Sequence, residues 1–494
     1  MEMPLDSLPS GEGYDAGDVD AAGDDAELNA AGIADLMLTV LSDGLDHPEL
    51  WDAIPGFVEA MPELVEELQW RLDAEGHGQT RTALLILLGI CGGAKGHPAL
   101  MAERLEPLAA EYSQSPLVQG AIFHLRGLAD PEDPRYQLAG KICPQPFIQF
   151  DVLERSSHLC CSSYLNTSVG NLTNKDWDAV WNSETAQAIR ESVHDGSYRY
   201  CNKGTCPQIH MNNLVPTAEL AARSETWREI LENATTILPH GPESVNLAYD
   251  RTCNLSCPSC RTERFAADEA LRARFDRMQE RTILPLLKGA KTVFITGSGD
   301  PFASKNFRRL MEQLTPEDYP ELRFQVMTNG MLFTPRQWES FPALHRRVKI
   351  LKISVDAATG PTHELLRRGA RWPTVLENMA FAGELNARGD ISHFELVFTV
   401  QKENFREMGD AVDLARQVGA TGIYFARITN WGTFTEAEYR EKAVFLASHD
   451  DYAAFVDEMQ DPRLRDPMVV LGDLQPFVEV PAEAQARIGH GELA

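Results

Sequence analysis

The sequence predicts an α/β fold centred on a partial, open (β/α)6 barrel, preceded by a helical domain and a small cysteine-rich module. Three observations carry this. Short β-branched and aromatic runs at 245–251, 291–297, 322–328, 349–356, 393–401 and 422–428 alternate with helical patterns. Apolar residues from about position 28 to 135 recur at helical spacing. Five of the nine cysteines then crowd into 136–215, between Asn, Thr, Ser and Gly.

A chain of 494 residues exceeds what one core can enclose, because cores stop growing near roughly 250–300 residues. Residues 1–27 are rich in Asp, Gly and Ala, and no Lys or Arg occurs before Arg71, so this stretch reads as a disordered acidic tail. Residues 28–135 read as stacked helix pairs, from Ile33, Leu36, Met37, Val40 and Leu41 and then Leu64, Leu68 and Leu72. The stack is either a packed domain or a repeat-like scaffold for a partner. Cys91 within it reads as a small apolar core residue. After the cysteine-rich module comes a helical linker at 216–240 and the barrel at 241–435. Six strand-helix units in succession imply parallel strands joined by right-handed crossovers. A full eight-unit barrel takes about 250 residues, so the TIM-like barrel is partial. Residues 436–494 read as a helix and loop extension packed on the barrel.

The net charge of −28 repels polyanions, which argues against nucleic acid and anionic membrane as partners. No apolar run approaches the roughly 20 residues that span a bilayer, and the N-terminus has no signal-like segment. The expected compartment is the cytoplasm, where nine cysteines point to metal or redox chemistry before disulfides.

The strongest local signal follows the first barrel strand: Cys253-Asn-Leu-Ser-Cys257-Pro-Ser-Cys260 spaces three thiols as C-x3-C-x2-C in one loop. Three such thiolates converge on a cuboidal iron-sulfur cluster and leave one iron without a protein ligand. Zinc also takes thiolates, but its sites favour paired C-x2-C units and a fourth Cys or His, which this loop lacks. Loops after barrel strands form the face where active sites sit.

This loop resembles the signature of radical S-adenosylmethionine (radical SAM) enzymes. The resemblance implies a [4Fe-4S] cluster on Cys253, Cys257 and Cys260, with the cofactor chelating the fourth iron. One electron then yields methionine and a 5′-deoxyadenosyl radical that abstracts hydrogen from substrate. Ser259 stands where many members carry an aromatic residue. Later strand ends resemble the family's cofactor contacts in order. Gly297, Gly299 and Asp300 fall in a loop similar to Gly-Gly-Glu-Pro, which approaches the cofactor's amino group. Asn329, Ser354, Asp356 and Gln401 fall where the family places ribose and carboxylate contacts. Arg427 is either a fork for the methionine carboxylate or a salt-bridged barrel residue.

Cys143, Cys160, Cys161, Cys201 and Cys206, with Gly170-Asn171-Leu172 and Trp181-Asn182-Ser183 between them, resemble the SPASM auxiliary-cluster module or its shorter twitch form. The family generally carries this module after the barrel; here it precedes it. Five thiols imply one auxiliary [4Fe-4S] cluster, so two clusters in all. Cys143, Cys201 and Cys206 are expected ligands together with one of Cys160 and Cys161, and a structural zinc is the alternative. The resemblance implies a peptide or protein maturase served by an electron donor such as flavodoxin or ferredoxin. A radical SAM dehydrogenase or epimerase of a small molecule such as an amino sugar is the alternative. The non-catalytic alternative is an iron-sulfur redox sensor or electron carrier.

Overall fold

The computed structural model describes residues 29–42, 63–74, 115–210 and 212–478, together with single positions between 54 and 105. The acidic tail, Cys91 and residues 479–494 lie outside the described residues.

Four short strands precede the barrel: β1 (Lys141–Ile142), β2 (Gln149–Val152), β3 (Ser157–His158) and β4 (Val215–Pro216). The six predicted strands follow as β5 (Ser244–Leu247), β6 (Thr292–Ile295), β7 (Arg323–Thr328), β8 (Val348–Ser354), β9 (Phe394–Val400) and β10 (Gly422–Arg427). They pair in sequence order, all parallel. Their outward side chains, among them Val245, Leu247, Val293, Ile295 and Phe324, are fully buried under the crossover helices.

The inner face is different. Cross-strand neighbours share a face, and the row opposite those apolar residues includes Asp151, Asn246, Gln325, Lys352, Glu395 and Tyr424. Lys352 Nζ lies 2.6 Å from Glu395 Oε1 and 5.5 Å from the Tyr424 ring centre. A closed TIM barrel fills this space with branched apolar side chains. Here the wall is mixed, since Phe294, Met327, Ile350 and Val397 lie on the same face as these polar side chains.

Two features differ from the expected division into separate modules. The cysteine-rich segment donates β2, which pairs in parallel with β5, and β3 folds back antiparallel to it. The C-terminal extension is not only helix and loop: β11 (Val469–Val470) pairs in parallel with β10. The sheet therefore has nine strands, ordered β11-β10-β9-β8-β7-β6-β5-β2-β3. The physical reason is edge protection, since β5 and β10 would otherwise end an open barrel with unpaired N–H and C=O groups.

The module's sequence landmarks fasten it to the barrel. Arg190 is fully buried, and its guanidinium donates to the carbonyls of Pro146 (3.0 Å), Thr236 (2.8 Å) and Trp181 (2.8 Å) while lying over the Trp181 ring. Trp181 Nε1 donates to His240 O, and the Asn182 side chain both accepts from Leu238 N and donates to Leu238 O. Trp181, Asn182 and Arg190 thus grip 236–240, the stretch that enters β5. Burial without a carboxylate partner lowers the Arg190 pKa to about 9.

Ile33, Met37, Leu41, Leu64 and Leu68 share a hydrophobic cluster of their own, distinct from the barrel's. Leu36 is 44% exposed, outside that cluster. Helix Pro116–Ala129, capped by Ser115, carries this region onto the cysteine-rich module: Phe123 meets Tyr136 edge-on, and Gln119 lies so close over Gly204 that a Cβ there would meet Gln119 Oε1 at 2.1 Å. No helix among the described residues is long and apolar enough to cross a membrane.

Candidate functional site

The three-cysteine loop leaves the C-terminal end of β5 and turns at once. Cys260 N and Arg261 N both donate to Cys257 O, which brings Cys257 and Cys260 round on one turn, and Cys253 N donates to Phe265 O. The thiols pack with Leu255, Met331 and Ala370 in a small cluster of their own. The segment after helix Gly360–Leu366 clamps the loop from outside, through Ser256 N to Arg368 O (3.1 Å) and Arg368 Nη2 to Thr262 O (2.6 Å).

Two of the three thiols have N–H donors. Leu255 N (3.4 Å) and Asn329 Nδ2 (3.6 Å) reach Cys253 Sγ, and Arg261 Nη2 reaches Cys260 Sγ at 3.3 Å. Cys257 instead feels the positive charge of the Arg367 guanidinium, which is paired with Asp356 at 2.8 Å. Burial pushes the Cys253 thiol up to about 11, with Asp300 adding to it. It also raises Cys257, against the pull of Arg367.

The remaining expected cofactor contacts divide. Asn329 sits beside Cys253, and its amide also bonds Asn254 Oδ1 at 2.9 Å. Gly297 has open space where a Cβ would be, with nothing nearer than Phe294 at 3.9 Å. Gly299 is small for another reason than expected: its Cβ would meet the carbonyls of Asp250 (2.6 Å) and Thr252 (2.7 Å), so it lets β6 approach the cysteine loop. Ser354 and Gln401 are buried at their strand ends.

Asp300 and Asp356, expected near the cofactor, use their carboxylates to tie strand ends together. Asp300 is fully buried, and both oxygens are taken: Oδ2 accepts from Thr328 Oγ1 and Asn329 N, Oδ1 from Phe302 N and Ala303 N. It locks the β6 loop to the β7 loop. Asp356 accepts from Thr399 N at 2.7 Å and holds Arg367. Arg427 takes the salt-bridge alternative, pairing with Asp473 at 3.0 Å and lying over Phe445, which ties β10 to the C-terminal extension. Arg261 and Arg367 went unremarked in the sequence. Arg261 had a signal, adjacency to Cys260; Arg367 had none.

The second thiol group lines a cavity of about 160 Å³ that Cys143, Cys160, Cys161, Cys201 and Cys206 share with Gln149, Tyr164 and Tyr198. Burial pushes Cys143 up to about 12 and Cys160 and Cys201 well above the ordinary thiol value, and each neighbouring thiolate pushes the same way. Such a set charges together only around cations. Cys143, Cys160 and Cys201 pack on the main core and Cys206 lies within it. Cys161 is not part of that cluster. It lines the same cavity from outside that apolar packing.

The donor chemistry fits an iron-sulfur group better than zinc. Four thiolates on one zinc lie about 3.8 Å apart, as a tetrahedron with Zn–S near 2.3 Å requires. Among the described residues no three His, Cys, Asp or Glu side chains converge on a position for one ion. Five thiols around one cavity suit a multi-iron cluster, whose ligands stand further apart.

Comparison with known proteins agrees with this reading of the donors. Residues 247–415 match the Radical SAM superfamily, and residues 143–207 match the SPASM iron-sulfur cluster-binding domain, so the SPASM domain precedes the radical SAM domain. Together they imply [4Fe-4S] clusters and S-adenosylmethionine. An "AdoMet-dependent heme synthase" of Methanosarcina barkeri is 26% identical over 194 residues, which are 39% of this chain. The chain spans about half (53%) of that relative's length. Among solved structures, Streptococcus suis SuiB aligns at 13% identity over 61% of this chain and 65% of its own, with a TM-score of 0.35. The protein anSMEcpe with bound AdoMet aligns at 17% identity over 43% of this chain and 57% of its own, with a TM-score of 0.31.

Proposed function

We propose that this chain, a radical SAM domain preceded by a SPASM domain, abstracts hydrogen from a polar substrate held in the barrel lumen and is a peptide or protein maturase. The carrying observation is that both thiol groups hang on one continuous sheet, the three-cysteine loop after β5 and the thiol-lined cavity beside β2, with polar side chains on the inner face of that sheet. Cys253, Cys257 and Cys260 hold one cluster. Cys143, Cys160, Cys201 and Cys206 hold the other, and Cys161 is the leftover thiol, as the one of the five that does not pack on the main core. When bound, the first cluster and S-adenosylmethionine supply one-electron, hydrogen-abstracting chemistry.

This chain's residues then position and enclose. Asn329 orients the amide that meets Cys253, and Gly297 leaves room at the cofactor's edge. Leu255, Met331 and Ala370 keep water from the thiols. Lys352, Glu395 and Tyr424 offer charge and hydrogen bonds to a substrate, which suits a peptide better than an apolar molecule. The helical region reaches the auxiliary loop through Gln119 and Gly204, close enough to present a peptide there. A flavodoxin or ferredoxin supplies the electron.

The ligand assignment predicts iron content. Reconstituted protein should hold about eight irons, four per cluster. The triple alanine variant at Cys253, Cys257 and Cys260 should keep about four, and Cys160→Ala should also keep about four while Cys161→Ala keeps about eight. Equal losses for Cys160→Ala and Cys161→Ala, read by iron analysis of purified protein, would sink the assignment. The substrate class is tested by incubating reduced enzyme and S-adenosylmethionine with short peptides or with amino sugars. Peptides should raise 5′-deoxyadenosine formation above the substrate-free rate. Stimulation by amino sugars alone would replace the maturase reading with that of a small-molecule dehydrogenase or epimerase.

A further inference from the structure

We infer that Arg261 sets the reduction potential of the cluster on Cys253, Cys257 and Cys260, by holding an uncompensated positive charge against the Cys260 sulfur. The inference rests on the cluster reading above. Arg261 follows Cys260 directly and is buried, 7% exposed. Nη1 donates to Arg251 O at 2.6 Å, and Nη2 is shared between Ser298 O at 2.5 Å and Cys260 Sγ at 3.3 Å.

A buried guanidinium is costly unless an anion faces it. Both protein oxygens that Arg261 meets are neutral carbonyls. Its one side-chain partner among the described residues is the Cys260 sulfur, 3.3 Å from Nη2. The anion this side chain is built against is therefore the thiolate set.

The other two polar side chains beside the thiols do not share this property. Arg367 lies near Cys257, but Asp356 neutralises it at 2.8 Å. Asn329 reaches Cys253 with an uncharged amide at 3.6 Å. Arg261 alone of the three presents net charge to the cluster. Reduction adds one electron from the external reductant and makes the cluster one unit more negative. A fixed cation and an N–H donor at sulfur favour that form, which raises the potential. Arg261 touches a ligand sulfur, not substrate, so its role is positioning and tuning.

The test is an EPR-monitored redox titration of the reconstituted holoenzyme without S-adenosylmethionine. Arg261→Gln keeps an amide donor and removes the charge. At the wild-type midpoint its reduced-to-oxidised ratio should fall about tenfold, a shift of about 59 mV for a one-electron couple. Arg261→Lys restores a cation and should titrate close to wild type. The auxiliary couple should not move in either variant, since its thiols lie in a separate cavity.

An intact cluster with an unmoved potential in Arg261→Gln overturns the inference alone. Equal shifts in the Gln and Lys variants also overturn it, because a packing role does not distinguish charge. Should Arg261→Gln fail to retain its irons, Arg261→Lys decides: a midpoint near wild type supports the charge role, and a fall of about 59 mV overturns it. A wild-type protein with no cubane signal at this site would bring down the cluster reading and the inference together.

Discussion

Cys257→Ala should abolish formation of 5′-deoxyadenosine from S-adenosylmethionine, in the presence or absence of substrate. Cys257 is the most enclosed of the three loop thiols, and its carbonyl anchors the turn that carries Cys260. Removing its sulfur leaves two thiols in a loop that already supplies one fewer than a cubane has irons. No other thiol is at hand, because the three pack in their own small cluster and the remaining described thiols line a different cavity. Loss of an outer-shell partner of a metal site costs roughly 10–100-fold in affinity or activity, so loss of a ligand should exceed about 100-fold. The measurement is chromatographic quantitation of 5′-deoxyadenosine after anaerobic reduction. The fold should survive, since the sheet on which the loop hangs takes its stability from Val245, Leu247 and their neighbours. Full 5′-deoxyadenosine formation by Cys257→Ala would show that the cofactor is cleaved elsewhere and would refute the proposed site.

What was legible in advance follows from how much chain a feature occupies. The six barrel strands could be read because each repeats an apolar pattern, with Val245 and Leu247 or Val293 and Ile295 turned to the same buried face. β2 and β11 could not, since β11 spans only two residues, β2 lies inside the cysteine-rich stretch outside the strand-helix alternation, and their partners lie far away in sequence. The cysteines were legible from spacing, but spacing could not separate Cys160 from Cys161, because only packing distinguishes neighbours in sequence: Cys160 lies against the main core and Cys161 outside it. Trp181, Asn182 and Arg190 stood out as landmarks without a reason, and the reason is a latch on 236–240 some 50 residues later. Polar strand ends misled most. Asp300 and Asp356 have the residue type of a ligand contact, yet each carboxylate is engaged by backbone N–H groups and partner side chains that only the folded loops bring near. A sequence shows which groups can donate or accept; burial decides which remain available.

Cys201→Ala should separate the two thiol groups, sparing basal cleavage of S-adenosylmethionine while stopping conversion of substrate. Cys201 lines the auxiliary cavity with Cys143, Cys160 and Cys206, and its loop is held by Cys201 N to Tyr198 O, Asn202 N to Tyr164 O and Cys206 N to Asn202 O. The three-cysteine loop is held by other partners, Phe265, Arg368 and the carbonyls that Arg261 meets. The two loops thus hang on different partners, so damage to one should leave the other's ligands in place. Iron should fall from about eight to about four, and slow substrate-free formation of 5′-deoxyadenosine should persist. Product formation should drop by more than about 100-fold, the scale expected when a ligand rather than its outer shell is removed. The discriminating quantity is the ratio of product to 5′-deoxyadenosine, which collapses only if the auxiliary site acts after cofactor cleavage, by taking an electron from the substrate or by holding it. If that ratio stayed at the wild-type value with half the iron gone, the auxiliary site would be structural. If cleavage and conversion were lost in step, the continuous sheet from β2 to β5 would be transmitting the damage from one thiol group to the other.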